Sequence, residues 1–184
     1  GGAVECLGAQ ARPPVRVGGG GAVLRGHVHR LRVDSAQVRG ALLLAGLYAA
    51  GPTRLEPPGA SRDHTERMLG ACGVHLQRDA RGLELHPGRD AAWDGFDCQI
   101  PGDLSSAAFW IAHAAAVPDA RLLVRGVGLN PGRARYLEIL CAAGARVAWR
   151  ERGMARGESW GDVRCAGGAL GALRLAAADV VRCL

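Results

Sequence analysis

The sequence contains no lysine, so all 23 of its basic residues are arginines. A chain without lysine offers no amine for a Schiff base or a lysine general base, and it lacks the lysine of a P-loop. Aromatic residues make up only 4% of the chain, which is too few for the stacking platforms of proteins that bind single-stranded nucleic acid. Lysine-based catalysis is therefore excluded for this chain, and a nucleic-acid partner is disfavoured.

Long hydrophobic runs and metal-binding patterns are also missing. The longest apolar runs, Ala41–Ala50 and Ala107–Val117, reach about 10 residues, whereas a membrane-spanning helix needs about 20. The six cysteines form no C-x-x-C pair, so we predict free buried thiols in a reducing cytoplasm, not a zinc site or a disulfide framework. We accordingly expect a cytoplasmic protein with no membrane segment, no signal peptide and no metal.

The net charge of +6 admits an anionic partner, and the distribution of the arginines narrows its kind. They are scattered along the whole length without a basic arm, as on a solvated surface and unlike a nucleic-acid groove. Arginine forks suit phosphate and carboxylate groups, so a small phosphorylated or carboxylated ligand is the sharper hypothesis. The Gly18–Gly21 run is interpreted as a flexible hairpin turn and not as a phosphate loop, because it lacks a strand-to-helix context and a lysine.

The apolar pattern repeats in the two halves of the chain, each of which alternates helix and strand. The first half is predicted to form helix Ser35–Ala50, strand Thr53–Glu56, a helix opened by Ser61–Asp63, and strands Val74–Arg78 and Leu83–His86. The second half is predicted to form helix Leu104–Ala116, strand Arg121–Val124, helix Arg133–Ala143, and strands Ala145–Glu151, Asp162–Cys165 and Ala172–Leu175. The segment Arg89–Asp97 breaks the pattern, and a boundary near Gln99–Gly102 follows it. The sequence therefore predicts an α/β (α+β) fold of tandem units, each about 70 residues long.

The ends of the predicted helices carry matching local signals. The ranges Met68–Gly73 and Ile139–Gly144 align in the two halves, and each ends on a glycine that suits a helix C′ position with positive φ. Asp63 and Glu66 have the spacing of a capping box. Asn130-Pro131 is an N-cap followed by proline at the first helical position.

Polar residues at the mouths of two predicted helices are the candidates for a binding site. Ser35 and Gln37 precede an almost entirely apolar helix, where a hydroxyl, an amide and free backbone N–H groups can bind an anion. The alternative is that Asp34 or Ser35 is only an N-cap. At the next helix Arg62 is the better ligand candidate than His64, because adjacent residues on a helix point apart and His64 gains no partner from its neighbouring carboxylate.

Four stretches of the chain resemble the 5-enolpyruvylshikimate-3-phosphate (EPSP) synthase family in sequence, order and spacing. They are Ser35-Ala-Gln-Val-Arg-Gly-Ala-Leu-Leu-Leu-Ala-Gly, Ser61-Arg-Asp-His-Thr-Glu-Arg-Met-Leu, Pro101-Gly-Asp-Leu-Ser-Ser-Ala-Ala-Phe and Val127-Gly-Leu-Asn-Pro-Gly-Arg. The resemblance covers essentially the whole chain, which is similar to the middle part of a family member. Because there is no initiator methionine and the chain stops just after the mostly apolar stretch Ala176–Val181, we expect both ends to be cut.

The resemblance implies a two-domain enolpyruvyl transferase fold of repeated β-α-β-α-β-β units, here only partly present, with the active site in the cleft. Residues 1–99 then resemble the end of the domain that binds shikimate 3-phosphate, and residues 100–184 resemble the start of the returning segment of the other domain. Ser35 and Ala36 match the element that grips the phosphate of shikimate 3-phosphate, and Gln37 matches a glutamine that touches both substrates. Arg62, with Ser61, is similar to the residue that closes over shikimate 3-phosphate.

The implied reaction transfers the enolpyruvyl group of phosphoenolpyruvate to the 5-hydroxyl of shikimate 3-phosphate and releases phosphate. The resemblance implies no cofactor and no metal, and a cytoplasmic monomer that binds neither nucleic acid nor membrane. No catalytic residue is assigned within the chain, because the acid–base Asp-Glu pair of the family is expected just beyond Leu184. The chain alone is therefore expected to be inactive. Asp34 stands where the family commonly has a small residue, and its carboxylate would weaken phosphate binding unless it points away.

Three alternatives stay open at this point. One is enolpyruvyl transfer to UDP-N-acetylglucosamine by an enzyme of the same fold, against which the Ser-Ala-Gln and Ser-Arg-Asp-His-Thr-Glu motifs argue. The second is a non-catalytic binding or structural remnant that folds by itself. The third is nucleic-acid binding, which would show a steep loss of affinity with salt.

Overall fold

The computed structural model describes the chain except residues 1, 20, 22, 60, 89–96, 173–174, 177–178, 180–182 and 184. Helices and strands alternate along it, which confirms the predicted mixed α/β class. Their order is β1 (Gly2–Cys6), β2 (Val15–Gly19), β3 (Val28–Arg30), α1 (Ala36–Gly46), β4 (Thr53–Glu56), α2 (His64–Ala71), β5 (His75–Arg78), β6 (Leu83–His86), α3 (Leu104–Ala116), β7 (Arg121–Gly128), α4 (Pro131–Ala142), β8 (Arg146–Ala155) and β9 (Glu158–Ala166).

The first α/β unit, Val28–His86, is a four-stranded sheet with α1 and α2 against it. The strand order is β3-β4-β6-β5, with β3 parallel to β4 and the other neighbours antiparallel. Buried and half-buried residues alternate along β4 and β6, the period-two pattern of strands with one face on a core. The buried core consists of Leu43, Leu55, Leu69, Val74, Leu83 and Leu85.

The second α/β unit, Leu104–Ala166, is a three-stranded antiparallel sheet in the order β7-β9-β8, with α3 and α4 against it. Its core includes Ile111, Leu137 and Val163, each 0% exposed. Helices α3 and α4 and the central strand β9 therefore share one apolar core. This packing fixes the position of α4 and its N-terminus relative to the sheet.

The helix-end signals read from the sequence are confirmed at Gly73, Gly144 and Asn130. Gly73 and Gly144 have φ values of 85° and 94°, as their C′ positions require. The Asn130 side chain caps α4 by accepting a hydrogen bond from the backbone N–H of Gly132, and proline follows at the first helical position. Asp103 caps α3 by accepting from two backbone N–H groups of the first turn.

Several boundaries differ from those predicted. Helix α1 ends at Gly46, not at Ala50, because the backbone of Ala50 pairs with Arg25 in an isolated bridge. Strands β7, β8 and β9 run past the predicted residues, since antiparallel pairing continues beyond the apolar positions that mark a strand in the sequence.

Two local predictions are wrong. Gly18 and Gly19 lie inside β2 and pair with β1, and the turn between these strands is Leu7–Pro14. A glycine run has no side chains to distinguish a strand from a turn. Glu66 does not complete a capping box, and the Asp63 side chain makes no cap hydrogen bond, because Glu66 is drawn into the unit by Arg39.

Some predictions fall outside the described residues. All of the predicted linker Arg89–Asp97 except its last residue does so, as does the middle of the predicted strand Ala172–Leu175. The division into residues 1–99 and 100–184 remains a prediction. In the described part of the chain no helix combines the length and apolar character needed to cross a membrane.

Candidate functional site

The N-terminus of α1 has the form expected of an anion-favouring helix end. Ser35 is the N-cap in extended conformation, and its Oγ accepts a hydrogen bond from the backbone N–H of Val38 at 3.4 Å. This distance is long for a hydrogen bond, so the hydroxyl is only weakly held by the cap. The N-cap interpretation is confirmed for Ser35, and a capping hydroxyl at a helix N-terminus remains compatible with binding an anion.

Asp34 connects this helix end to the segment before α2. Its Oδ2 accepts from the backbone N–H of Ser61 at 2.8 Å, and its Oδ1 accepts from the Ser61 hydroxyl at 2.7 Å. The segment before α2, at Ser61, is thereby tied to the residue that precedes Ser35, although the bonded residues are 27 positions apart in sequence. The carboxylate that departs from the family pattern is engaged by Ser61.

Arg39 is the residue that the sequence interpretation missed. It is 1% exposed and forms a buried ion pair with Glu66, which is 8% exposed. Its Nη1 also donates to the Ser61 hydroxyl at 3.2 Å and lies 3.7 Å from Oδ1 of Asp34. The available signal was an arginine one turn after the N-cap on the inner face of an otherwise apolar helix. Its guanidinium is the cation that faces both carboxylates of this corner, Asp34 and Glu66.

The remaining predicted site residues lie around the same corner. Ala36 is the first residue of α1, and the exposed side chain of Gln37 makes no hydrogen bond with the described part of the chain. Arg62 is half-buried and directly precedes Asp63, the N-cap of α2. The helices approach closely here, since a Cβ atom on Gly40 would lie 3.0 Å from Oγ1 of Thr65. Ser35–Gln37 and Ser61–Arg62 thus form one cluster, and their role as ligands stays a prediction.

As the sequence analysis predicted, Asp63 and His64 do not pair with each other as an acid and a base. Neither side chain is simply solvated, because each has a partner elsewhere in the chain. The Asp63 carboxylate accepts from Arg67 Nε at 2.7 Å and from Asn130 Nδ2 at 2.8 Å. Burial raises the pKa of the Asp63 carboxyl, but the hydrogen bonds from Arg67 and Asn130 outweigh burial and hold that pKa below its ordinary value. His64 contacts Glu158 across the junction of the two units, at 2.7 Å. No local pattern signals these partners.

A cavity of about 260 Å³ lies at the same junction. Its lining is mostly apolar and includes Met68, Ile100 and Leu104, with Arg133 and Glu158 among its charged residues. It is separate from the Ser35–Ser61 cluster, whose residues do not line it.

The cysteines are distributed differently from the prediction of buried thiols. Cys165 alone is buried, and burial raises the pKa of its thiol. Cys6 and Cys98 are exposed, and the other three are half-buried. The apolar pattern around a cysteine does not decide its depth when the elements on either side are unknown. Within the described ranges, no group of three or more His, Cys, Asp or Glu side chains could hold a metal ion.

The geometry defines a class of protein: repeated α/β units in which the N-terminus of one helix meets the segment before the next. A family model described as EPSP synthase (3-phosphoshikimate 1-carboxyvinyltransferase) matches residues 1–168. The chain belongs to the EPSP synthase family.

Individual relatives agree with this assignment. A Geobacter sulfurreducens protein named 3-phosphoshikimate 1-carboxyvinyltransferase is 44% identical over 161 residues, which are 88% of this chain and 37% of the relative. A Thermus thermophilus protein of the same name is 44% identical over 144 residues, or 78% of this chain and 33% of the relative. The solved EPSP synthase from Acinetobacter baumannii superposes with a TM-score of 0.81 at 36% identity, covering 99% of this chain and 40% of that one. The chain thus spans well under half the length of the proteins it matches.

Proposed function

We propose that this chain is the segment of an EPSP synthase that contributes part of the phosphate site for shikimate 3-phosphate. The observation that carries the proposal is the pair of hydrogen bonds from Ser61 to Asp34, at 2.7 and 2.8 Å. They tie the N-terminus of α1, which carries Ser35–Gln37, to the segment that carries Arg62. A helix N-terminus, hydroxyl groups and a guanidinium are the groups that favour a phosphate dianion.

The contacts of Asp34 reduce its repulsion of an anionic ligand at this corner. The Asp34 carboxylate accepts two hydrogen bonds from Ser61 and lies 3.7 Å from the Arg39 guanidinium. An acidic group already occupied by a cation and by donors repels a nearby phosphate less than an unpaired one. The exposed amide of Gln37 is available for a ligand.

In the complete enzyme, this segment would bind and orient one substrate of an enolpyruvyl transfer. The methylene carbon of phosphoenolpyruvate gains a proton, and the 5-hydroxyl oxygen of shikimate 3-phosphate adds to the neighbouring carbon and loses its own proton. The tetrahedral intermediate then expels phosphate, and its methyl group gives up a proton to restore the double bond. The chain contributes to this reaction by positioning one substrate. Positioning accounts for a large share of catalysis when two substrates must be brought together.

Further parts of the proposal follow from the family. Shikimate 3-phosphate and phosphoenolpyruvate are the partners of the whole enzyme, which acts as a cytoplasmic monomer without nucleic acid. No residue of the chain is assigned a proton transfer, so the chain by itself binds without turning over substrate.

Calorimetric titration of the purified chain with shikimate 3-phosphate tests the binding site. The wild-type chain is expected to bind, Gln37→Ala to bind more weakly, and Val38→Ala, an exposed neighbour on the same turn, to bind as the wild type does. UDP-N-acetylglucosamine is expected not to compete. Displacement of shikimate 3-phosphate by UDP-N-acetylglucosamine would indicate that the latter is the acceptor. An absence of shikimate 3-phosphate binding would refute the site.

A hybrid enzyme tests the reaction. Residues 1–168 replace the matching part of the Geobacter sulfurreducens relative, and phosphate release is measured with both substrates. The hybrid is expected to release phosphate, its Gln37→Ala variant to do so much more slowly, and the isolated chain to stay at background. Turnover by the isolated chain would contradict its assignment as a binding segment, and a folded but inactive hybrid would contradict the proposed function.

A further inference from the structure

The second α/β unit touches the Ser61–Arg62 segment directly, at Gly132 in the first turn of α4. A Cβ atom on Gly132 would lie 2.7 Å from Cα and 2.9 Å from the backbone nitrogen of Arg62. Both distances are far inside the optimal separation of about 3.5 to 4.0 Å between carbon atoms. Only a residue without a side chain allows α4 to approach the backbone of Arg62 this closely. The place of Arg62 is therefore set partly by the unit to which it does not belong.

Asn130, the N-cap of α4, holds the same segment through its side chain. The residue is 1% exposed, and its Oδ1 accepts from the backbone N–H of Gly132 at 2.8 Å. Its Nδ2 donates to Asp63 Oδ1 at 2.8 Å and to Glu158 Oε2 at 3.0 Å. A buried amide with both of its ends bonded has little freedom to move. Since Asp63 follows Arg62 in the chain, the amide fixes the backbone on the C-terminal side of Arg62.

Three further contacts join α2 to the second unit. His64 Nδ1 lies 2.7 Å from Glu158 Oε1, and Arg133 Nε donates to His64 Nε2 at 3.1 Å. Because arginine is only a donor, Nε2 must accept, which assigns the proton to Nδ1 and makes the ring a donor to Glu158. Arg67 Nη1 donates to the carbonyl oxygen of Gly157 at 3.0 Å. The first turn of α2 is thus bonded to both α4 and the β8–β9 turn.

The carboxylates of this junction are charged in the folded chain. Burial raises the pKa of the Glu158 carboxyl, but the hydrogen bonds from His64 and Asn130 and the charge of Arg67 outweigh it and leave that pKa below its ordinary value. Asp63 behaves in the same way. We call Asn130, Gly132 and Glu158 of the second unit, together with the residues they contact in the first, the inter-unit clamp.

We propose that Asn130 and Gly132 are positioning residues for the phosphate site, so that the place of the second unit controls affinity at Arg62. This inference rests on the proposed function, since it concerns the site that shikimate 3-phosphate would occupy. The Ser61–Arg62 segment is also bonded to Asp34 and Arg39 of the first unit. Because these contacts hold Ser61 in place, a shift of α4 changes the position of Arg62 and does not move the whole segment. Coupling of this kind is reciprocal: a ligand that orders the segment tightens the clamp, and a loosened clamp weakens the ligand.

The first test compares two glycine-to-alanine variants of the full 184-residue chain. Gly132→Ala is expected to weaken binding of shikimate 3-phosphate about tenfold, which lies in the usual range of coupling between sites. Gly70→Ala, on the helix that follows the same segment, adds a methyl group that meets nothing within 4 Å and should leave affinity unchanged. Equal affinity of Gly132→Ala and wild type would overturn the positioning role while leaving the proposed function intact. If the wild-type chain does not bind, both fail.

The second test asks whether Asn130 acts through Arg62. Asn130→Ser keeps a capping hydroxyl on α4 but removes the amide that reaches Asp63 and Glu158. It is combined with Arg62→Lys, which keeps the charge, in a double-mutant cycle on the dissociation constant. The loss of affinity for shikimate 3-phosphate caused by Asn130→Ser should be several-fold smaller when Arg62 is already replaced. Strictly additive losses of binding free energy would overturn the inference. Glu158→Gln, which keeps its shape, provides the same cycle if Asn130→Ser does not fold, as judged by its urea unfolding curve.

Discussion

Arg39 of α1 and Glu66 of α2 form an ion pair that is removed from solvent and joins the two helices of the first α/β unit. The guanidinium extends the contact to the Ser61 hydroxyl. The pair therefore serves the packing of the unit and the shape of the candidate phosphate site together. Glu66 was expected to close a capping box at its own helix, and the long-range partner took precedence.

Removing one member of this pair should lower the free energy of unfolding of the chain. Arg39→Met leaves Glu66 buried without a countercharge, and loss of one partner from a buried pair costs about 3–5 kcal/mol. Urea unfolding of wild type and variant measures the difference. Arg16→Ala breaks an exposed ion pair with Glu5 and serves as the control, with an expected change of about 0.5 kcal/mol or less. A similar change in the two variants would contradict the buried role of Arg39.

The carboxylate of Asp34 should help the phosphate site more than it hinders it. Asp34→Ala removes both hydrogen bonds to Ser61, and bonds to a charged group contribute about 1.5–3 kcal/mol each at most. Affinity for shikimate 3-phosphate is expected to fall, although a negative charge is lost. Asp34→Asn, which keeps an acceptor oxygen, should recover part of the loss in a calorimetric titration. Tighter binding by Asp34→Ala would mean that repulsion outweighs positioning.

The inter-unit clamp should weaken in acid. The pKa values of Asp63 and Glu158 lie below their ordinary values, so the folded chain binds fewer protons than the unfolded chain in the acidic range. The corresponding stability is present in full above the ordinary pKa values, near about 4, and is lost as the pH falls through the lowered ones.

Glu158→Gln makes this pH dependence measurable. At pH 7 the variant should be less stable than wild type to urea, because it lacks the charge that His64 and Asn130 hold in place. The gap should narrow as the pH falls from the ordinary carboxyl pKa through the lowered pKa of Glu158, because the wild-type chain then loses the same charge. A gap that stays constant between neutral and acidic pH would show that the charge contributes nothing.

The phenol of Tyr136 should stabilise the contact between α3 and α4. Its hydroxyl donates to the carbonyl oxygen of Leu104 at 3.1 Å, and burial raises the pKa of the Tyr136 phenol above its ordinary value. Tyr136→Phe removes this hydrogen bond and should cost about 1 kcal/mol in urea unfolding. Tyr48→Phe, at a residue that is 80% exposed, is the matched control and should be neutral. Equal stability of the two variants would contradict the contact.

Local features were predictable because neighbouring residues cause them. The cap at Asn130 and the positive φ of Gly73 and Gly144 depend on one helix end at a time. The bounds of α3 were predicted from a mostly apolar run, Leu104–Ala116, and the structure has the same bounds. The predicted site residues lie in one cluster for a related reason: each belongs to the start of a helix, and the two helices are neighbours in sequence.

Long-range polar partners were not predictable in this way. Glu66 meets Arg39 across 27 residues, and His64 meets Glu158 across 94. Nothing in a hydrophobic period or a cap motif specifies which carboxylate a buried cation will face, because that choice depends on how whole helices and sheets are packed together.

The sequence by itself determined the alternating helices and strands, most helix ends, and the family, since these depend on short-range backbone preferences and on motifs several residues long. Only the tertiary structure decided that Asp34 binds Ser61, that Arg39 lies between two carboxylates, and that Gly132 lies against the backbone of Arg62. Each of these contacts joins elements that are distant in the chain. Such contacts form only when burial of the two apolar cores offsets the entropy lost on closing the long loops between them and brings their polar edges together.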